Sequence, residues 1–151
     1  MADLASVIAK EEIIDCINRL FINTDRRDWA AVRACLADSV DFDMTSLTGG
    51  TPETLPAQKI IDGWEQGLRP IQAIHHQAGN HRVNLKNAAE ATVFCYAIAL
   101  HYRPTRSGRN TRTFVGSYDF ALMRLGEQWR ITAFRFNCKF LDGNLELEKT
   151  E

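Results

Sequence analysis

From Ala73 to Phe140 the chain alternates with a period of two residues, broken only by short polar connections. No other feature constrains the fold as much. A helix repeats its apolar face every three to four residues, so this stretch has to be built from strands. One strand is predicted from Ile74 to Leu85, followed by a turn at Asn87, and a second from Thr92 to Arg103. A third runs from Thr113 to Leu125, a tight turn forms at Gly126–Glu127, and the last runs from Trp129 to Phe140. Strands joined by short connections pair as antiparallel neighbours.

Upstream of this meander the period is helical. Val7, Ile8, Ile14, Ile17, Leu20 and Phe21 mark an amphipathic first helix ending near Thr24. Asp28 has the place of an N-cap for a second helix from Trp29 to Ala37. Val40, Phe42 and Met44 then alternate with Asp41 and Asp43, which predicts a strand. Thr45 to Leu55 carries Gly49, Gly50 and Pro52 and reads as a loop. Pro56 fits the first turn of a third helix bearing Ile60, Ile61, Trp64 and Leu68, which Pro70 stops. Three helices followed by long strands make an α+β fold, with the helices covering one face of a strongly bent sheet.

The 151 residues show no break in composition and predict one domain. With 18 Lys+Arg against 19 Asp+Glu, a net charge of −1 offers nothing global to nucleic acid or anionic membranes. The segment PTRSGRNTR concentrates Arg103, Arg106, Arg109 and Arg112, but no aromatics interleave them. It reads as a solvated hairpin loop, with an anion-binding rim as the alternative. The N-terminus lacks the apolar run of a secretory signal, and no stretch approaches the roughly 18 apolar residues of a membrane helix. A cytoplasmic protein is expected. Cys16, Cys35, Cys95 and Cys138 are scattered without a CxxC pair, which predicts buried thiols and no zinc site.

Strand parity groups the candidate site. On the second long strand Val93, Cys95, Ala97, Ala99 and His101 share a face. On the third, Val115, Ser117, Asp119, Ala121 and Met123 do. Each face is made of small side chains and carries one ionisable group, which predicts a cavity under the helices. Asp25 stands at the C-terminal end of the first helix, where the macrodipole disfavours an anion by about 0.3–1 kcal/mol. It is therefore a candidate for a carboxylate aimed inward at an imidazole. His75 and His76 point to opposite faces, and parity leaves open which one faces the cavity, because Gly79 is a possible bulge. His81 reads as a surface residue. Convergence of imidazoles and carboxylates is what general acid–base chemistry needs.

The stretches FINTDRRDWAAVRACLADSVDFD, AIHHQAGNHRV, ALHYRP and GSYDFALMRLGEQWRI resemble the SnoaL-like branch of the nuclear transport factor 2-like (NTF2-like) superfamily. The likeness runs from about Ile14 to Asn137, and within the superfamily scytalone dehydratase is nearest. The resemblance implies a single SnoaL-like domain over residues 1–151 with a cone-like NTF2 fold, N-terminal helices packing on a strongly curved, mostly antiparallel sheet. It implies a hydro-lyase that eliminates water from a small cyclic hydroxyketone without metal or organic cofactor. Its two histidines fall on His76 and His101, the aspartate paired with one of them on Asp25, and its asparagine on or near Asp119. Its two tyrosines, which orient the water that polarises the ketone, fall on Thr24 and Met44. Tyr96, Tyr102 and Tyr118 do not match those positions. The histidine–aspartate half of the machinery is present, and the electrophilic half is missing or replaced.

On this basis one of His76 and His101 abstracts a proton and the other protonates the departing hydroxyl. Asp25 holds an imidazole, and Asp119 anchors a substrate hydroxyl or shares a proton. Thr24 and Met44 contact substrate. The alternatives are a SnoaL-like cyclase or isomerase, a non-catalytic binding or assembly subunit like the β subunit of ring-hydroxylating dioxygenases, and a metal on His76, His101 and a carboxylate. The expected partner is a small hydrophobic or cyclic molecule, with no nucleic acid and no membrane. Phe94, Tyr96, Ile98 and Leu100 form a second apolar face, which predicts a homo-oligomer, dimer or trimer.

Overall fold

The computed structural model describes residues 3–149. Asp3 opens helix α1 (Leu4–Arg26), its carboxylate accepting from the Ser6 N–H at 2.8 Å. Ile13, Cys16, Ile17, Leu20, Phe21 and Thr24, three or four residues apart, form its buried stripe. Arg27 ends the helix in the left-handed region (φ 60°). Asp28 then caps α2 (Trp29–Cys35) through the Ala31 N–H at 3.1 Å. Next come β1 (Leu36–Asp43), α3 (Thr45–Thr48), β2 (Glu53–Pro56) and α4 (Ala57–Leu68). The four long strands follow: β3 (Ala73–Leu85), β4 (Glu90–Tyr102), β5 (Thr111–Leu125) and β6 (Gln128–Gly143).

All six strands form one sheet in the order β2-β1-β6-β5-β4-β3. Only β1 and β6 run parallel, and every other pair is antiparallel. The expected α+β class and the four-strand meander are therefore present. The region from Thr45 to Leu55 differs from the expected loop. It holds α3 and most of β2, because two partners are available there that local sequence does not reveal. Ser46 Oγ donates to the Phe136 carbonyl at 2.6 Å and accepts from the Cys138 N–H at 3.0 Å, which fastens α3 to β6. β2 covers the free edge of β1, giving backbone groups their partners. Pro56 consequently ends β2 and caps α4 instead of lying inside its first turn.

The helix-facing side of β4 carries Val93, Cys95, Ala97, Ala99 and His101, all buried. The face of β5 that meets it is not the one made of small residues. Phe114, Tyr118, Phe120 and Leu122 point to the helices, and Ala99 pairs with Phe114, Cys95 with Tyr118 and Val93 with Phe120. Two small faces side by side would leave more void than a close-packed interior tolerates, so small is set against large. Gly116 shares this face because a Cβ there would overlap the Asn137 carbonyl oxygen and stand 2.9 Å from the Phe136 ring. Cys16, Cys35 and Cys95 are buried free thiols, and Cys138 is half-buried. Among the described residues no helix is long and apolar enough to cross a membrane.

Candidate functional site

Three pieces of chain place the acidic end of α1 against β3. Arg27 donates from Nη1 to the Leu68 carbonyl at 2.8 Å and from Nη2 to the Ile71 carbonyl. A cation on these carbonyls at the end of α4 is favourable, and it ties the last turn of α1 in place. Asp25, in that last turn, reaches β3. His76 backbone N–H donates to Asp25 Oδ2 at 2.8 Å, and His76 Nδ1 lies 2.6 Å from Oδ1. Two hydrogen bonds from one residue offset the unfavourable position of the carboxylate on the macrodipole. Phe21 stacks on the imidazole at a centroid distance of 5.2 Å, so the ring is held on its face and at its Nδ1 edge. The His76 and Asp25 side chains are only 12% and 18% exposed.

His76 faces the helices and His75 is exposed on the other side, paired in the ladder with Leu100. The bulge that made parity ambiguous comes after both histidines, between Gly79 and Arg82, with Asn80 at φ 57°. It resets the count so that His81 is half-buried, not a surface residue, and its Nε2 has no partner among the described residues.

A cavity of about 150 Å³ opens between α1, α4 and the sheet. Phe21, Trp64, Leu68, Phe114 and Phe134 supply apolar wall, and His76 and His101 both line it. Thr24 and Met44 line it as well. The Thr24 hydroxyl is already engaged, donating to the Leu20 carbonyl at 2.7 Å. Tyr118 lines the cavity from β5 and is 6% exposed, and its hydroxyl has no hydrogen-bond partner among the described residues. Burial pushes its phenol up, so it keeps its proton and remains a donor. His101 Nδ1 lies 3.1 Å from Arg112 Nη2. Burial, then the Arg112 and His76 charges, lower His101 to about 4.

Asp25, His76, His101, Thr24 and Met44 are thus brought together, with Asp25 standing behind His76 instead of on the wall. Asp119 is not brought in. It is exposed on the opposite face of β5, where it accepts from Asn137 Nδ2 at 2.8 Å. The alternation that turns Tyr118 and Phe120 inward turns Asp119 out. The arginine-rich segment also departs from the solvated loop: Arg103, Arg109 and Arg112 donate to carbonyls of Leu147, Gly143 and Leu145. Among the described residues no group of three His, Cys, Asp or Glu is arranged to hold a metal ion.

Residues 5–135 match the model of a SnoaL-like domain. No curated protein matches the chain significantly. Among solved structures, Kfla4162 from Kribbella flavida is similar with a TM-score of 0.86 at 24% identity, covering 92% of this chain and 95% of that one. A candidate scytalone dehydratase from Novosphingobium aromaticivorans gives 0.82 at 12% identity, covering 93% and 90%. The hexachlorocyclohexane dehydrochlorinase LinA-type3 from Novosphingobium barchaimii gives 0.76 at 12%, covering 99% of both chains. At these identities the likeness is one of fold, the NTF2-like arrangement of helices and sheet.

Proposed function

Because the chain belongs to the SnoaL-like domain family, we propose that it is a cofactor-free lyase. In this reading it dehydrates a small cyclic hydroxyketone as a scytalone dehydratase does. The observation that carries the reading is the Asp25–His76 pair at the rim of an otherwise largely apolar cavity. A carboxylate only accepts, so the His76 proton sits on Nδ1 and the Nε2 lone pair is left as a base. That lone pair takes the proton from the carbon beside the carbonyl. The C–H electrons pass into the carbonyl as an enolate, which collapses to the new double bond as the C–O bond breaks, and the imidazolium returns the proton to the departing hydroxyl as water. His101 and the Tyr118 hydroxyl meet the oxygen side of the substrate. A largely apolar cavity of about 150 Å³ has room for a benzene-sized molecule, which favours a single-ring substrate. The names of two fold neighbours, a dehydratase and a dehydrochlorinase, support the same class of step.

A panel of cyclic hydroxyketones incubated with the protein in D2O tests the base directly. Deuterium at the carbon beside the carbonyl, or loss of water, is the expected result for at least one compound. No exchange, no turnover and no thermal stabilisation across the panel would replace the lyase with the non-catalytic binding module.

The reading is of a cytoplasmic homo-oligomer. Tyr96 and Ile98 are each 45% exposed and Leu100 41% on the face of β4 that no helix covers, with Phe140 of β6 at 56%. Lys139 lies 4.1 Å above the Tyr96 ring. A second copy of the chain is the occupant that removes this apolar surface from water. Light scattering at micromolar concentration is expected to give the mass of a dimer or trimer, and a monomer mass removes the proposal.

A further inference from the structure

His101 lies on the wall of the cavity that His76 also lines, and the arginine behind it is held partly by chain beyond the family match. His101 and Arg112 are cross-strand partners on β4 and β5, so the 3.1 Å contact from Arg112 Nη2 to His101 Nδ1 is built into the register. Arg112 is held in turn on its outer side. Its Nη1 donates to Glu148 Oε2 at 2.5 Å and to the Leu145 carbonyl at 3.4 Å. Its guanidinium stands 5.2 Å from the Phe114 ring centroid. The segment that supplies these acceptors is itself anchored. Leu147 is fully buried against Ile71 and Ile74, and Arg103 Nη1 donates to the carbonyls of Leu147 at 3.1 Å and Lys149 at 3.2 Å.

A guanidinium offers donors only. The imidazole nitrogen facing it therefore accepts, and the ring proton sits on Nε2. We propose that Arg112, anchored by Glu148 and the C-terminal segment, is a positioning residue that locks His101 as a neutral Nε2–H donor to the cavity. Such a donor polarises a carbonyl and steadies the oxygen of an enolate, as a neutral imidazole is able to do. It supplies what Thr24 and Met44 do not. Its own proton stays in place, since a neutral imidazole is a far weaker acid than an imidazolium. The proton delivered to the departing hydroxyl is then the one His76 took. The charges facing His101 are Asp25 from α1, His76 from β3, Arg112 from β5 and Glu148 from the C-terminal segment. Burial, Arg112 and His76 outweigh the two carboxylates. The catalytic use of this donor rests on the lyase reading, whereas the locked tautomer does not.

Long-range 15N–1H spectra of the histidine rings test the lock. In the intact protein His101 is expected to carry its proton on Nε2 and His76 on Nδ1. Arg112→Met is expected to release His101 into a mixture of tautomers and to move its titration midpoint from about 4 toward the ordinary 6.5. Arg112→Lys, which keeps a donor, is expected to restore most of both, and Glu148→Ala, which loosens Arg112, to give a tautomer mixture between those of Arg112→Met and the intact protein. A proton on His101 Nδ1 in the intact protein overturns the proposal whether or not any variant folds. So does an Arg112→Met spectrum identical to that of the intact protein. A protein inactive on every hydroxyketone but showing the two opposite tautomers removes the lyase and leaves the lock standing.

Discussion

Asp25→Asn is expected to lower kcat by about 10²–10⁴-fold while the protein stays folded and its KM changes little. The carboxylate accepts from both the backbone N–H and Nδ1 of His76. An amide of the same shape accepts with one atom and donates with the other. If the amide N–H meets Nδ1, the imidazole is forced into the tautomer with its proton on Nε2, which is useless as a base toward the cavity. If it meets the backbone N–H instead, that contact is repulsive, and the amide oxygen left to accept from Nδ1 carries no charge. In neither case does the variant stabilise the imidazolium that forms when the proton leaves carbon. Steady-state kinetics on the best compound of the panel measures the loss. Undiminished turnover in Asp25→Asn would move the base elsewhere.

His101→Ala is expected to cost about 10²–10³-fold in kcat, the usual effect of deleting one preorganised donor to a developing oxyanion. The same residue makes stability depend on pH in a direction that follows from its environment. Its folded value of about 4 lies below the ordinary 6.5, so the unfolded chain binds more protons between these limits. The stability His101 contributes is fully present above 6.5 and is lost as pH falls through 4. Melting temperature in the intact protein should therefore fall more steeply with acidification across this window than in His101→Ala. Parallel melting curves in the two proteins would show that His101 is not held neutral.

Much of this arrangement is legible in the sequence. The switch from helical to two-residue period marked the layers, and the misplaced charge of Asp25 on the first helix marked the carboxylate that reaches an imidazole. His76 and His101 were singled out, but the choice between His75 and His76 needed the location of the bulge, which Gly79 suggested and Asn80 supplies. Asp119 failed for a different reason. Counting small residues on β5 identifies a face, but which face turns inward depends on what β4 offers opposite, and Ala99, Cys95 and Val93 stand against Phe114, Tyr118 and Phe120. Arg112 was visible only as one of four arginines in a loop. Its partners, His101 and Glu148, are 11 and 36 residues away, and no local pattern announces a contact of that kind.

Ala99 and His101 occupy successive inward positions of β4 and both line the cavity, the one bounding its room and the other, on the lyase reading, meeting an oxygen atom. Capacity and chemistry are thus written in separate codons on one strand. Exchanging the alanine for a larger side chain narrows the guest the cavity admits and, since Ala99 is the ladder partner of His76, is felt by that imidazole as well. On the lyase reading, the scaffold diverges in ring size only as far as His76 tolerates a change at its cross-strand neighbour.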